Sequence, residues 1–130
     1  MAEFGTYVAT STPHPASIPG AQKEAWGSTA PAGFGTIGWA PEGAVYYQYE
    51  VTIGTGGVDF WAGAISDIDA NTTNNEWAYL KPAPGVAVTA TAPGITTKCV
   101  AGGVYNPVTD AQDLLETVGP CDSVSGNSEF

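Results

Sequence analysis

The side chains able to do chemistry in this chain are few and lie far apart. There is one histidine, His14, and there are two cysteines, Cys99 and Cys121. Hydroxyl nucleophiles need a base beside them. His14 is the sole imidazole, sits in the stiff surface loop Thr12-Pro13-His14-Pro15, and has only Ser11 and Ser17 near it in sequence. No Ser/His/acid arrangement is legible, and no pair among the thirteen acidic residues is marked out for glycoside hydrolysis. One His and two Cys cannot supply a zinc site of the usual nitrogen and sulfur kind. The wide separation of the cysteines excludes a CxxC redox pair. An even pair fits one disulfide or two buried free thiols.

Two further patterns carry chemistry. Asp67, Asp69, Asn71 and Thr73 stand at the alternate-residue spacing of a calcium loop, with Glu76 as an added carboxylate. Thr72 and Ala78 occupy the places where an EF-hand needs Gly and Glu, so the reading expected here is an Asx-rich turn. No cofactor is required, and calcium at this turn is the one metal to test. Four Trp and six Tyr could stack on sugar rings if exposed, as in a carbohydrate-binding or adhesin module. Most of them are expected to anchor the core and loops instead. Asn71-Thr72-Thr73 fits a glycosylation sequon but is assigned no role.

The composition narrows the function classes. The 130 residues suit one domain, and 43% hydrophobic residues support a core despite 17 Gly and 10 Pro. Three Lys against thirteen acidic residues give a net charge of −10. Such a surface repels phosphate backbones and anionic lipid, so no nucleic-acid partner is expected. Charged residues make up only 12%, and Thr, Ser, Gly and Asn carry the polarity, which suits a protein outside the cytoplasm. No run of about 18 apolar residues would span a membrane.

The elements that must position these residues are mostly strands. Ala44–Ile53 is free of Pro and Gly, and its alternation places Val45, Tyr47, Tyr49 and Val51 on one face. Gly54-Thr55-Gly56-Gly57 turns the chain into a second strand over Val58–Ser66, and Glu76–Lys81 makes a third. Val86–Ala92 is expected as a fourth strand or edge. Ala2–Ala9 reads as the last turns of a helix, and Gly20–Gly43 as a loop anchored by Trp26, Phe34, Ile37 and Trp39. A short helix is expected over Asp110–Thr117, after Pro107 and with an acidic start. Residues 123–130 are expected to fray.

The order of motifs resembles type IV pilins of the myxobacterial/deltaproteobacterial kind. Gly35-Thr36-Ile37-Gly38-Trp39-Ala40-Pro41-Glu42-Gly43 leads into Tyr46-Tyr47-Gln48-Tyr49, as in their Gly-aromatic-x-Pro-Glu element and first strand. Phe60–Asp69 and Asn75-Glu76-Trp77 are similar to their second and third strands. The Cys99/Cys121 pair looks like their C-terminal disulfide-bounded loop. The likeness covers residues 2–81 in motif order and only the disulfide layout beyond.

That resemblance implies an α+β head with a three- or four-stranded antiparallel sheet over residues 44–92. The head itself would span residues 1–122, with an αβ loop over 10–43 and a bridged region over 99–121. It implies a structural, non-enzymatic subunit of an extracellular surface filament used in adhesion or motility. The Val45, Tyr47, Tyr49 and Val51 face would be the assembly face. Its partners would be other pilin subunits or an apolar helix. That helix would lie on the same polypeptide or on a separate chain, and would be the head's one link to a membrane. A secretion-system pseudopilin shares this architecture and is the nearest alternative.

Overall fold

Residues rich in β-branched and aromatic types form the strands that organise the domain. The computed structural model describes residues 5–10, 12–29, 32–100 and 102–128. The central sheet has β3 (Gln48–Ile53), β4 (Phe60–Ser66) and β5 (Asn75–Lys81) in sequence order, with β8 (Gly119–Pro120) on the far edge. All pairings are antiparallel, with Val51 opposite Ala62 and Ala62 opposite Tyr79. Two small ribbons flank it: β1 (Glu24–Ala25) with β2 (Ala44–Val45), and β6 (Val104–Asn106) with β7 (Ala111–Leu114). Among the described residues the only α-helix is α1, Phe34–Ile37. The fold is therefore mostly antiparallel sheet with little helix.

Several sequence expectations are corrected. Ala44–Ile53 is not one strand: the chain bends at Tyr46, and Val45 pairs with Glu24 in a separate ribbon. Val86–Ala92 is not a strand; the short β8 takes the fourth place in the sheet. Asp110–Thr117 is not a helix. Ala111–Leu114 pairs with Val104–Asn106, so a ladder between two tethered segments overrides the weak local helix signal.

The N-terminal segment is corrected too. Within the predicted helix Ala2–Ala9, residues 2–4 lie outside the described chain and Gly5–Ala9 are not helical. They run along the edge of β3 instead. Tyr7 N–H donates to Gly57 O at 2.8 Å, Thr10 N–H to Val51 O at 3.0 Å, and His14 pairs with Tyr49 through both backbone groups. His14 is thus half-buried: its Nε2 lies 2.6 Å from Trp26 O and its ring meets Trp26 edge-on at 4.4 Å. Edge strands invite pairing with other chains, and this strap covers the edge.

The sheet has two unlike faces. On one, Trp61, Ala78 and Leu80 are buried against the 83–99 segment and the disulfide region, with Ala90, Cys99, Val104 and Cys121. Gly63 permits this close approach, since a Cβ there would lie 2.8 Å from Thr96 Cγ2 and 3.0 Å from Pro93 Cγ. A second, smaller core gathers Trp26, Phe34 and Val45, with Tyr49 and Val51 packed on it.

Cys99 and Cys121 are joined, their Cα atoms 4.7 Å apart. Such a bridge fits an oxidising compartment. The Gln112 amide clasps the same place, donating to Lys98 O at 2.6 Å and to Cys121 O. The expected frayed tail is folded down through residue 128: Ser125 is buried and its Oγ accepts the Glu76 N–H at 3.1 Å. Reducing the disulfide should cost about 3–4 kcal/mol. The melting temperature should then fall by on the order of 10 °C. An unchanged melting curve with and without reductant would show that the bridge does not support this fold.

Candidate functional site: an apolar groove on the open sheet face

Strand alternation puts Tyr49 and Val51 of β3, Phe60, Ala62 and Ala64 of β4, and Trp77 and Tyr79 of β5 on the face opposite Trp61 and Leu80. All seven are only half-buried. The central strand supplies Ala62 and Ala64 with Phe60 at its end, and the outer strands supply Tyr49, Trp77 and Tyr79, so a trough runs over the middle of the sheet. Its larger part has a volume of about 640 Å³, and its walls include Tyr7, Phe34, Trp39, Tyr49 and Phe60 around a floor at Ala62. A shallower hollow of about 160 Å³ shares Ala62 with it and extends to Trp77, Tyr79 and Val118.

The walls are held by rings packed on rings. Tyr7 meets Phe60 at 4.6 Å and Phe60 meets Tyr79 at 5.7 Å on one side. On the other, Trp39 touches Tyr49, Phe34 and Trp26, with centroids 5.3–5.5 Å apart. These contacts are edge-on or tilted, the tilts running from 33° to 87°. Burial pushes the Tyr49 phenol pKa up, and the neighbouring Tyr47 adds to the shift. The groove is therefore mainly apolar, with Glu50, Thr6 and Thr36 also on its lining, and it suits a hydrophobic partner surface.

The four residues expected on the assembly face are distributed unevenly. Tyr49 and Val51 line the groove. Tyr47 stands beside them at 6.3 Å from Tyr49, its hydroxyl accepting from Asn75 Nδ2 at 3.0 Å. Val45 is buried with Trp26 and Phe34 in the small core on which Tyr49 and Val51 pack, its backbone paired with Glu24. Of the four expected loop anchors, Trp26 and Phe34 are buried, while Ile37 and Trp39 are exposed at the groove rim. Sequence reading missed the alanine floor; Ala62 and Ala64 at alternate positions between aromatic strands were its signal.

The calcium pattern folds as a self-satisfied turn. Asp67 accepts from Asn71 N–H and Thr72 N–H, Asp69 from Asn71, and Asn71 Oδ1 from Thr73 N–H. The Glu76 carboxylate bonds elsewhere: its two oxygens accept from Thr97 Oγ1 at 3.2 Å and Lys98 N–H at 2.7 Å. Among the described residues no group of three His, Cys, Asp or Glu is placed to hold a metal ion. Ser11 lies outside the described chain, and Ser17 donates to Glu24.

In comparisons with known proteins, no protein family, curated protein or solved structure matches this chain. Among the described residues no helix is long and apolar enough to cross a membrane.

Proposed function

We propose that this chain is the globular head of a type IV pilus-like filament, an exported structural subunit whose open sheet face receives an apolar helix. The observation that carries this reading is the groove: an antiparallel sheet closed on one face and left with an aromatic-walled, alanine-floored trough on the other. An antiparallel sheet can leave a polar face in water, but a face this rich in apolar side chains calls for a cover, and a helix is one element that supplies it. The order of the Gly-Trp-Pro-Glu element, the Tyr-rich strand and the bridged C-terminal region supports the same reading. So does the disulfide, which suits the cell surface. The tilted rings offer no flat platform of the sort that stacks on sugars.

The test is to shear filaments from cells that produce this protein and identify their subunits by mass spectrometry. Intact chain should appear in the filament fraction. Ala62→Trp fills the trough without touching the closed core, so the variant should fold normally yet enter filaments at least about tenfold less, a loss of about 1.4 kcal/mol in assembly. Absence of the wild-type chain from every filament fraction would end the pilus reading. Normal incorporation of a folded Ala62→Trp variant would show that the trough is not the assembly face.

A further inference from the structure

Beside the disulfide, away from the groove, three charged side chains converge. Lys98 precedes Cys99, and Asp122 follows Cys121, so the bridge holds the two next to each other. Lys98 Nζ lies 3.2 Å from Asp122 Oδ2, and the two side chains are each 26% exposed. The third is Glu76, 1% exposed, whose Oε2 accepts the Lys98 backbone N–H and whose carboxyl feels the charges of both Lys98 and Asp122.

We propose that Lys98 and Asp122 are the partners of a self-formed isopeptide bond. The step balances without an oxidant or cofactor. The Lys98 ammonium and the Asp122 carboxylate condense to a secondary amide and one water. The Nζ–Cγ bond forms, the Cγ–Oδ2 bond breaks, and the departing oxygen takes both protons lost by nitrogen. Oδ2 faces the amine, while Oδ1, the oxygen retained, already accepts from Ser125 N–H at 2.8 Å and Val124 N–H at 3.3 Å. Those two donors are placed to hold negative charge on Oδ1 in the tetrahedral intermediate. The tether removes most of the entropic cost of encounter that a reaction between separate molecules would meet.

Before reaction the pair is ionic. Burial pushes the Asp122 carboxyl up, but hydrogen bonds from Ser125 and Lys98 outweigh it and hold the pKa below the usual value. Neutralising the pair is therefore the demanding step. The other ion pair, Lys81 with Glu116, has more exposed side chains, 31% and 52%, and is not assigned this chemistry.

The experiment is intact mass measurement on the full, reduced and alkylated chain, followed by trypsin. The expected mass is about 18 Da, one water, below that of the linear chain. Trypsin should then leave Lys98 uncut, so residues on its two sides remain in one peptide. Lys98→Arg keeps the charge but should restore the full mass. Full mass and cleavage at Lys98 in the wild type would overturn the proposal and leave an ion pair. Loss of water persisting in Lys98→Arg would overturn it as well, by placing the dehydration elsewhere.

Discussion

Trp61→Ala is expected to lower stability by about 3–5 kcal/mol, the largest loss from any single substitution considered for this domain. Trp61 is fully buried, opposite Leu80 in the sheet, within the cluster that includes Ala78, Ala90, Val104 and both cysteines. Removing the indole opens a cavity under the 83–99 segment. That segment lacks regular strands of its own, so it has little ladder to hold it while it collapses inward. Since whole domains are stable by only about 5–15 kcal/mol, much of the margin goes. Among the described residues the indole N–H of Trp61 has no hydrogen-bond partner. Trp61→Phe therefore loses volume but removes a costly buried donor, and should cost clearly less than the alanine variant. Urea denaturation decides it: equal midpoints for wild type and Trp61→Ala would mean that this face is not the core.

The second large effect concerns Asp59, which sequence reading left without a role. Its carboxylate is 1% exposed and accepts from Thr89 N–H at 2.6 Å, Ala90 N–H at 2.9 Å and Thr89 Oγ1 at 3.0 Å. One acid thus pins the 83–99 segment over the core. Asp59→Ala strands those backbone donors and should cost about 3 kcal/mol or more. Gly54 belongs to the same clamp, because a Cβ there would lie 1.9 Å from Asp59 Oδ1. Gly54→Ala should consequently destabilise the domain even though it deletes no contact.

The clamp also sets an acid limit. Burial pushes the Asp59 carboxyl up, but the hydrogen bonds from Ala90 and Thr89 outweigh it, so its folded pKa lies below the ordinary value. A lowered carboxyl pKa contributes stability that is fully present above the unfolded value and lost as pH falls through the folded one. Stability should therefore drop below about pH 4, where an unfolded aspartate takes up its proton. In Asp59→Ala that part of the drop should vanish. A midpoint equally sensitive to acid in variant and wild type would show that Asp59 is not the group responsible. Glu76 acts in the opposite sense. Its raised pKa means that folding loses stability as pH rises through the folded value.

The three-stranded meander was legible from residues 44–81 because alternation and glycine-rich turns are local signals, and the strands pair with their sequence neighbours. The cysteine pair could be named from its count, though not its bond. What sequence could not decide rests on contacts between distant segments. Ala111–Leu114 became a strand because a partner at 104–106 was brought alongside. The tail folded because Ser125 could satisfy the Glu76 N–H, and because Gly126 lies where a Cβ would meet the Trp77 ring at 2.4 Å. Val45 left the predicted strand because the chain bends at Tyr46 and Val45 pairs with Glu24, to be buried with Trp26 and Phe34. Local propensity differences amount to a few tenths of a kcal/mol per residue, whereas each buried side chain is worth about 1.5–3 kcal/mol. Sequence by itself therefore determined the sheet and its polarity. Only the tertiary structure decided which face closes, which stays open as a groove, and which charges meet beside the disulfide.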